Sequence, residues 1–220
     1  MTERIDWDDL NAYLAPTPFI ESQHASIAAL VDRLGLSSMA PRARAVAAFR
    51  FVQNEIRYEF VAKLAPEYYQ ASRVLADGRG FCVQKAVLLC ALGRAAGLPT
   101  ALVVSDLRDR TLPEALVQAL KTDVFYHHGL NAFHLDGRWI QVDASLSSDL
   151  AERRGYLLPS FDGVSEALLS PVTRTGEPHT EYVAFHGRFP DLSFEGMMRA
   201  FAVGYAQCDF AALGKVVVRM

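Results

Sequence analysis

An α+β fold is predicted for this 220-residue chain, and three observations predict it. Two helix-patterned segments, 21–34 and 41–57, come first. An unusually apolar helix beginning near Cys82 follows, and two alternating segments, 128–135 and 138–143, then flank the dipeptide Asp136-Gly137. Helices, then a buried helix feeding an antiparallel sheet, is the order that class of fold requires.

Each element has a local reason. In ESQHASIAALVDRL and PRARAVAAFRFVQNEIR the apolar residues recur every three or four positions, and Pro41 suits a first helical turn. A short helix at 71–76 is stopped by the loop at 77–80. The next begins near Cys82 and ends at Gly97 and Pro99, the usual stop signal. From 87 to 92 it is apolar on every face, which puts it inside the protein. Residues 100–105 read as a strand and 113–121 as a surface helix. Asp-Gly between alternating segments is the strongest short-range hairpin signal. Beyond Asp143 the pattern weakens: 145–154 and 193–205 have helical spacing, and 159–191 reads as ordered loop with a short strand at 181–185. A single domain is expected, with a core over about 41–145, N-terminal helices within 1–40 and a loop-rich extension over 146–220.

Composition narrows the function. A net charge of −3 gives no basic footprint for nucleic acid. The start, MTERIDWDDLNAYL, is acidic and lacks the pattern of a secretory signal. The longest apolar block, 86–92, is far short of the roughly 20 residues that span a bilayer. No nucleic-acid or membrane partner and a cytoplasmic location are therefore expected. Three cysteines, an odd number, agree with a reducing compartment. On one helix Cys82 and Cys90 stand about 12 Å apart, beyond the roughly 7 Å limit for a bridge.

Cys82 opens a helix behind the glycine-containing loop DGRGF. A thiol there faces unpaired backbone N–H groups and the positive end of the helix dipole, which favour thiolate and can also receive an oxyanion. The competing reading is a small buried hydrophobe, and Cys90 and Cys208 take that reading. A nucleophilic cysteine needs a base and a group to orient it. With Asp136-Gly137 at the turn, Leu135 pairs with Arg138 and Leu130 faces Asp143, so His128 is the diagonal neighbour of Asp143 on one sheet face, within side-chain reach. The other face collects Phe133, Leu135, Ile140 and Val142 as core. His127 has the parity of that core face unless a bulge intervenes, and His134 is about 20 Å along the strand, near Trp139. Asn131 has core-face parity and is expected to hydrogen-bond backbone there. Tyr58, Tyr68 and Tyr69 read as aromatic core, with an oxyanion donor or cleft wall as the alternative. His179 and His186 read as solvated loop residues.

The string GxGFCxxKAxLLxALxRAAGLP, followed by HxxNxxxLDGRWxxxD, resembles the core of the transglutaminase-like superfamily, a branch of the papain-like cysteine fold. The match covers about 71–143, and FDG and HTEYVAFHGRFPD are similar to segments of uncharacterised bacterial members. The resemblance implies a buried central helix carrying the cysteine, packed on an antiparallel sheet carrying histidine and aspartate. Carried over by motif, it implies Cys82 as nucleophile, His128 as base and Asp143 as orienting acid. Leu130 and Ala132 depart from the family, which often has an aromatic residue and a carboxylate there, so substrate binding is expected to differ. No DxDxDG calcium loop is present, and neither CxxC nor HxxxH supports a zinc site, so no metal and no cofactor are expected. The expected activity is hydrolysis or acyl transfer at an amide of a peptide, a protein or a small molecule, through a thioester on Cys82. The alternatives are an N-acyltransferase with a thioester donor, like the arylamine acetyltransferases, for which no coenzyme phosphate-binding cluster is found, and a non-catalytic binding module on the same fold.

Overall fold

A computed structural model describes residues 9–60 and 63–209. Helix α4 (Cys82–Ala95) is its axis, with every residue from Cys82 to Arg94 buried. Its all-round apolar middle is enclosed by α1 (Ala25–Arg33), α2 (Pro41–Glu55) and α3 (Ala71–Asp77) together with the sheet. Two buried cations interrupt the apolar surface, and both are spent on backbone carbonyls. Lys85 Nζ donates to Ile56 O at 2.8 Å, just past the C-terminus of α2. The Arg94 guanidinium reaches Ala15 O, Thr100 O and Pro190 O at 2.7–3.0 Å, tying three distant segments to one helix end. These contacts meet the requirement that a buried charge be hydrogen-bonded.

The sheet contains β3 (Thr100–Asp109), β4 (Val124–Leu135), β5 (Arg138–Val142) and β6 (Thr180–Phe189), antiparallel in the order β5-β4-β3-β6. The hairpin has the predicted register, from Leu135 opposite Arg138 to Asn131 opposite Val142. Its turn places Asp136 and Gly137 at φ 51° and 80°, the two positive values that a two-residue turn of the I′ kind requires. Two short parallel strands, β1 (Arg57–Tyr58) and β2 (Arg79–Gly80), lie at the mouth of α4.

Several elements differ from expectation for tertiary reasons. Strand β3 runs four residues further than predicted because β4 and β6 pair with it along its length. The expected short strand at 181–185 lies in the first half of β6, which runs on for the same reason. Helix α5 (Glu114–Leu120), expected at the surface, buries Leu116, Ala119 and Leu120. The rest of the C-terminal part contains α6 (Ser148–Arg154) and α7 (Phe194–Gly204), close to their predicted limits. Both faces of the hairpin are covered. Phe133, Leu135, Ile140 and Val142 join the main core, while Leu130 and Ala132 pack with Tyr13, Ala101 and Val103 in a second cluster. Among the described residues no helix is long and apolar enough to cross a membrane.

Candidate active site

The head of α4 is built to leave its backbone donors open. Phe81 sits in extended conformation at the N-cap and offers no side-chain acceptor, so no side chain caps the first turn. Gln84 reaches back instead, its Oε1 accepting the Phe81 N–H at 3.1 Å while its Nε2 donates to Tyr68 O at 2.7 Å. That brace fixes the Gly80-Phe81-Cys82 turn and leaves the first-turn N–H groups and the dipole end beside the Cys82 sulfur.

Strand β4 approaches this helix end at a glycine. A Cβ on Gly129 would lie 2.7 Å from the Cα of Val83, so only glycine allows β4 to pass so close to the first turn of α4. The neighbouring residue is His128, 3% exposed, and its imidazole interacts with both Asp143 and Cys82. Nε2 lies 2.6 Å from Asp143 Oδ2, and the Cys82 side chain is near enough to favour the protonated ring. With Nε2 engaged by the carboxylate, Nδ1 is the nitrogen left for the sulfur. Cys82 is 7% exposed and Asp143 is fully buried. The structure therefore gathers Cys82, His128 and Asp143 at one buried place beside the head of α4.

Electrostatics follow from this enclosure. Burial disfavours an imidazolium at His128, but the Asp143 carboxylate and the Cys82 sulfur outweigh it and raise the ring to about 10. Burial likewise opposes the Asp143 carboxylate, and the His128 ring with the Ser145 hydrogen bonds overcomes it, so the carboxyl group is held below its usual range. Asp143 Oδ1 accepts the Ser145 N–H at 2.9 Å, and Oδ2 also accepts the Tyr182 hydroxyl at 2.8 Å. A buried carboxylate with three donors is the state expected of an ionised group in a dry site.

Three participants were not read from the sequence. Tyr182 is a β6 residue whose ring also meets His128 edge-on at 6.1 Å between centroids; only the β3–β6 register puts it there. Ser145 contributes a backbone N–H, which has no sequence signal. Asp106 sits in β3 opposite a bulge where Tyr126 and His127 oppose it alone. Its Oδ1 accepts the His127 N–H at 3.0 Å and lies 3.0 Å from His186 Nε2. His127 takes φ 59°, so the strand does not run straight into His128, and simple parity does not place the His127 ring, which packs near Phe201.

Other candidates find ordinary places. Cys90 is buried, its thiol pushed up to about 12 by burial, and it lies 3.1 Å from Asn131 Nδ2, which also donates to Ala86 O. All three cysteines are free. His134 stacks edge-on against Trp139. Tyr69 is core, and its hydroxyl donates to Lys63 O. Tyr58 stands close enough to Cys82 and Asp143 to feel their charge and lines a cleft that opens on His128. His179 corrects the expectation of a solvated loop residue: it is 2% exposed and stacks on Tyr156 at 4.0 Å. His186 is half-exposed. Among the described residues no group of three or more His, Cys, Asp or Glu side chains is placed to hold a metal ion.

A buried helix headed by a cysteine, set against an antiparallel sheet that carries the histidine, with the aspartate one residue past the end of β5 rather than on the strand as expected, defines a transglutaminase-like α+β fold. The family model of the transglutaminase-like superfamily matches residues 28–144, and the chain belongs to that superfamily, a family of cysteine-dependent enzymes. Similar solved structures include a protein assigned as a cysteine protease from Cytophaga hutchinsonii, 18% identical with a TM-score of 0.47 over 63% of this chain and 42% of the other. A second is a TGase, 16% identical with a TM-score of 0.39 over 60% of this chain and 36% of the other. The chain thus spans less than half the length of either. No curated protein matches it.

Proposed function

We propose that the protein cleaves or exchanges an amide through a Cys82–His128–Asp143 triad and a thioester acyl-enzyme. The single observation that supports this reading best is the buried His128 ring, held by Asp143 at 2.6 Å and close enough to the Cys82 side chain for the sulfur to favour its protonated form. The sulfur attacks the amide carbonyl carbon, and the developing oxyanion is received by the open N–H groups at the head of α4. His128 then gives its proton to the leaving nitrogen while Asp143, fixed by Tyr182 and Ser145, holds the ring in orientation. Attack by water or by an amine on the thioester returns the free thiol. The substrate is a peptide, a protein or a smaller amide.

The test uses p-nitrophenyl acetate as an activated acyl donor. A burst of p-nitrophenol with one acetyl group on Cys82, located by peptide mass, is expected, and Cys82→Ala and His128→Ala should each abolish it. Acetyl found on Cys90 or Cys208, or a burst indifferent to His128→Ala, would overturn the triad.

A further inference from the structure

The last turn of α7 and the residue after it lie against the two chain segments that deliver the triad. The Phe201 ring meets Phe81, the residue before Cys82, at 6.4 Å between centroids, and His127, the residue before His128, at 6.3 Å. Tyr205 packs edge-on against Tyr126 at 5.4 Å and against Phe201 at 5.7 Å. A Cβ on Gly204 would lie 2.3 Å from Cδ2 of Tyr126, so the helix end comes as close to that ring as glycine allows. Phe201, Gly204 and Tyr205 all lie outside 28–144, the part of the chain that the family model matches.

The bulge in β4 explains what this contact does. Tyr126 and His127 together oppose Asp106, an arrangement that disrupts the ladder locally. Side chains take up the two N–H groups instead: Asp106 Oδ1 accepts that of His127, and Tyr205 Oη accepts that of Tyr126 at 3.0 Å. A half-buried backbone donor needs such an acceptor, because leaving it without one costs its desolvation. One acceptor thus comes from β3 and the other from the end of α7, and the next residue along the strand is His128. We infer that the end of α7 is a positioning element for the triad: Tyr205 fixes the bulge that delivers His128, and Phe201 ties that bulge to the turn that delivers Cys82. The inference rests on the triad proposed above. Phe201 and Tyr205 are positioning residues, acting through the backbone they hold, and they bring the approach of imidazole to sulfur under the control of a segment outside the family core.

The experiment compares acetylation of Cys82 by p-nitrophenyl acetate, corrected to folded protein by urea unfolding, in the wild type and in α7 variants. Phe201→Ala and Tyr205→Phe, the second of which keeps the ring and removes only the acceptor, should each slow acetylation by about tenfold to 10²-fold, the scale of a misplacement approaching 1 Å. Phe201→Leu should recover most of the rate. Phe194→Ala is the control: it lies in the first turn of the same helix, against Phe19 and Tyr69, and should lower stability while leaving the rate per folded molecule unchanged. Where Phe201→Ala does not fold, Gly204→Ala lifts the helix end by one methyl group and takes its place. Wild-type rates in Phe201→Ala and Tyr205→Phe, or an equal loss in Phe194→Ala, overturn the inference and leave the triad standing.

A second readout follows the His128 ring itself by ¹⁵N NMR, its signal assigned by its loss in His128→Gln. The titratable groups that face the ring are Cys82 of α4, Asp143 just past β5 and Tyr182 of β6, with Tyr58 of β1 lining the same cleft, and the variants leave all four in place. A ring no longer held against them should lose its proton at a pH that falls from about 10 toward 6.5 in Phe201→Ala and in Tyr205→Phe. A titration unmoved in both variants overturns the inference whatever the rates do. If the wild type forms no acetyl-enzyme, the thiol chemistry fails instead, and this titration alone decides the positioning: a fall in both variants supports it and an unchanged value overturns it.

Discussion

In the proposed triad His128 can act only with its ring held beside the Cys82 sulfur and the Asp143 carboxylate; Asp143 bonds the ring, and Asp106 supports the strand behind it. Asp143 fixes the ring through Nε2, so Asp143→Asn, which presents an amide N–H to that nitrogen or flips the tautomer, should slow acetylation of Cys82 by about 10²–10⁴-fold, the range seen for such changes in hydrolytic triads; an unchanged burst rate would refute the role. Asp106 works one step further back, since its carboxylate satisfies the N–H of His127, whose φ of 59° is unfavourable for a residue with a Cβ. Asp106→Ala leaves that N–H without its partner and should cost about 1–3 kcal/mol in urea unfolding. His127→Gly removes the backbone strain, so the double variant Asp106→Ala/His127→Gly should recover acetylation relative to Asp106→Ala alone. Equal impairment of the single and double variants would show that the bulge does not position His128.

The element that matters most at the next scale is the crossing of α4 and β4. A methyl group on Gly129 meets the backbone of Val83 at 2.7 Å, which no side-chain rotation relieves. Gly129→Ala should therefore push the head of α4 away from the strand, lowering stability by about 1–3 kcal/mol, the usual cost of overpacking, and lowering the acetylation rate by more than the unfolded fraction explains. Gly78→Ala is the control: it stands in open space at φ 61°, so it strains its own turn without touching the crossing. A comparable loss of acetylation in both would deny the crossing its special part. The brace from Gln84 belongs to the same element, because it holds the turn before Cys82 without consuming the helix's free N–H groups.

For the whole molecule, two buried basic groups set the pH dependence of stability with opposite signs. Folding raises His128 from 6.5 to about 10, so the stability it contributes is full below pH 6.5 and is lost as pH rises toward 10. Folding lowers Lys85 from 10.5 to about 7, mainly by burial, so its charging penalty is full below pH 7 and is relieved as pH rises toward 10.5. The two slopes oppose each other between pH 7 and 10, and the unfolding free energy should change little there. Lys85→Met removes the rising contribution, so its stability, measured in urea at several pH values, should fall steadily across that window. Parallel profiles for wild type and variant would show that Lys85 keeps its charge, held by the Gln53 and Ile56 carbonyls at the end of α2.

By itself the sequence determined the elements whose cause is local or periodic: the helix opened by Cys82, its burial, the Asp136-Gly137 turn and the hairpin register up to Asn131 opposite Val142, one residue short of Asp143. Those follow from period, turn chemistry and parity, which need no knowledge of distant contacts. Tertiary structure alone decided the rest. The bulge opposite Asp106 reset the path of β4, the β3–β6 register carried the Tyr182 hydroxyl to Asp143, and enclosure buried His179. Each depends on contacts between segments tens of residues apart, where the free energy of packing rather than local propensity chooses the geometry.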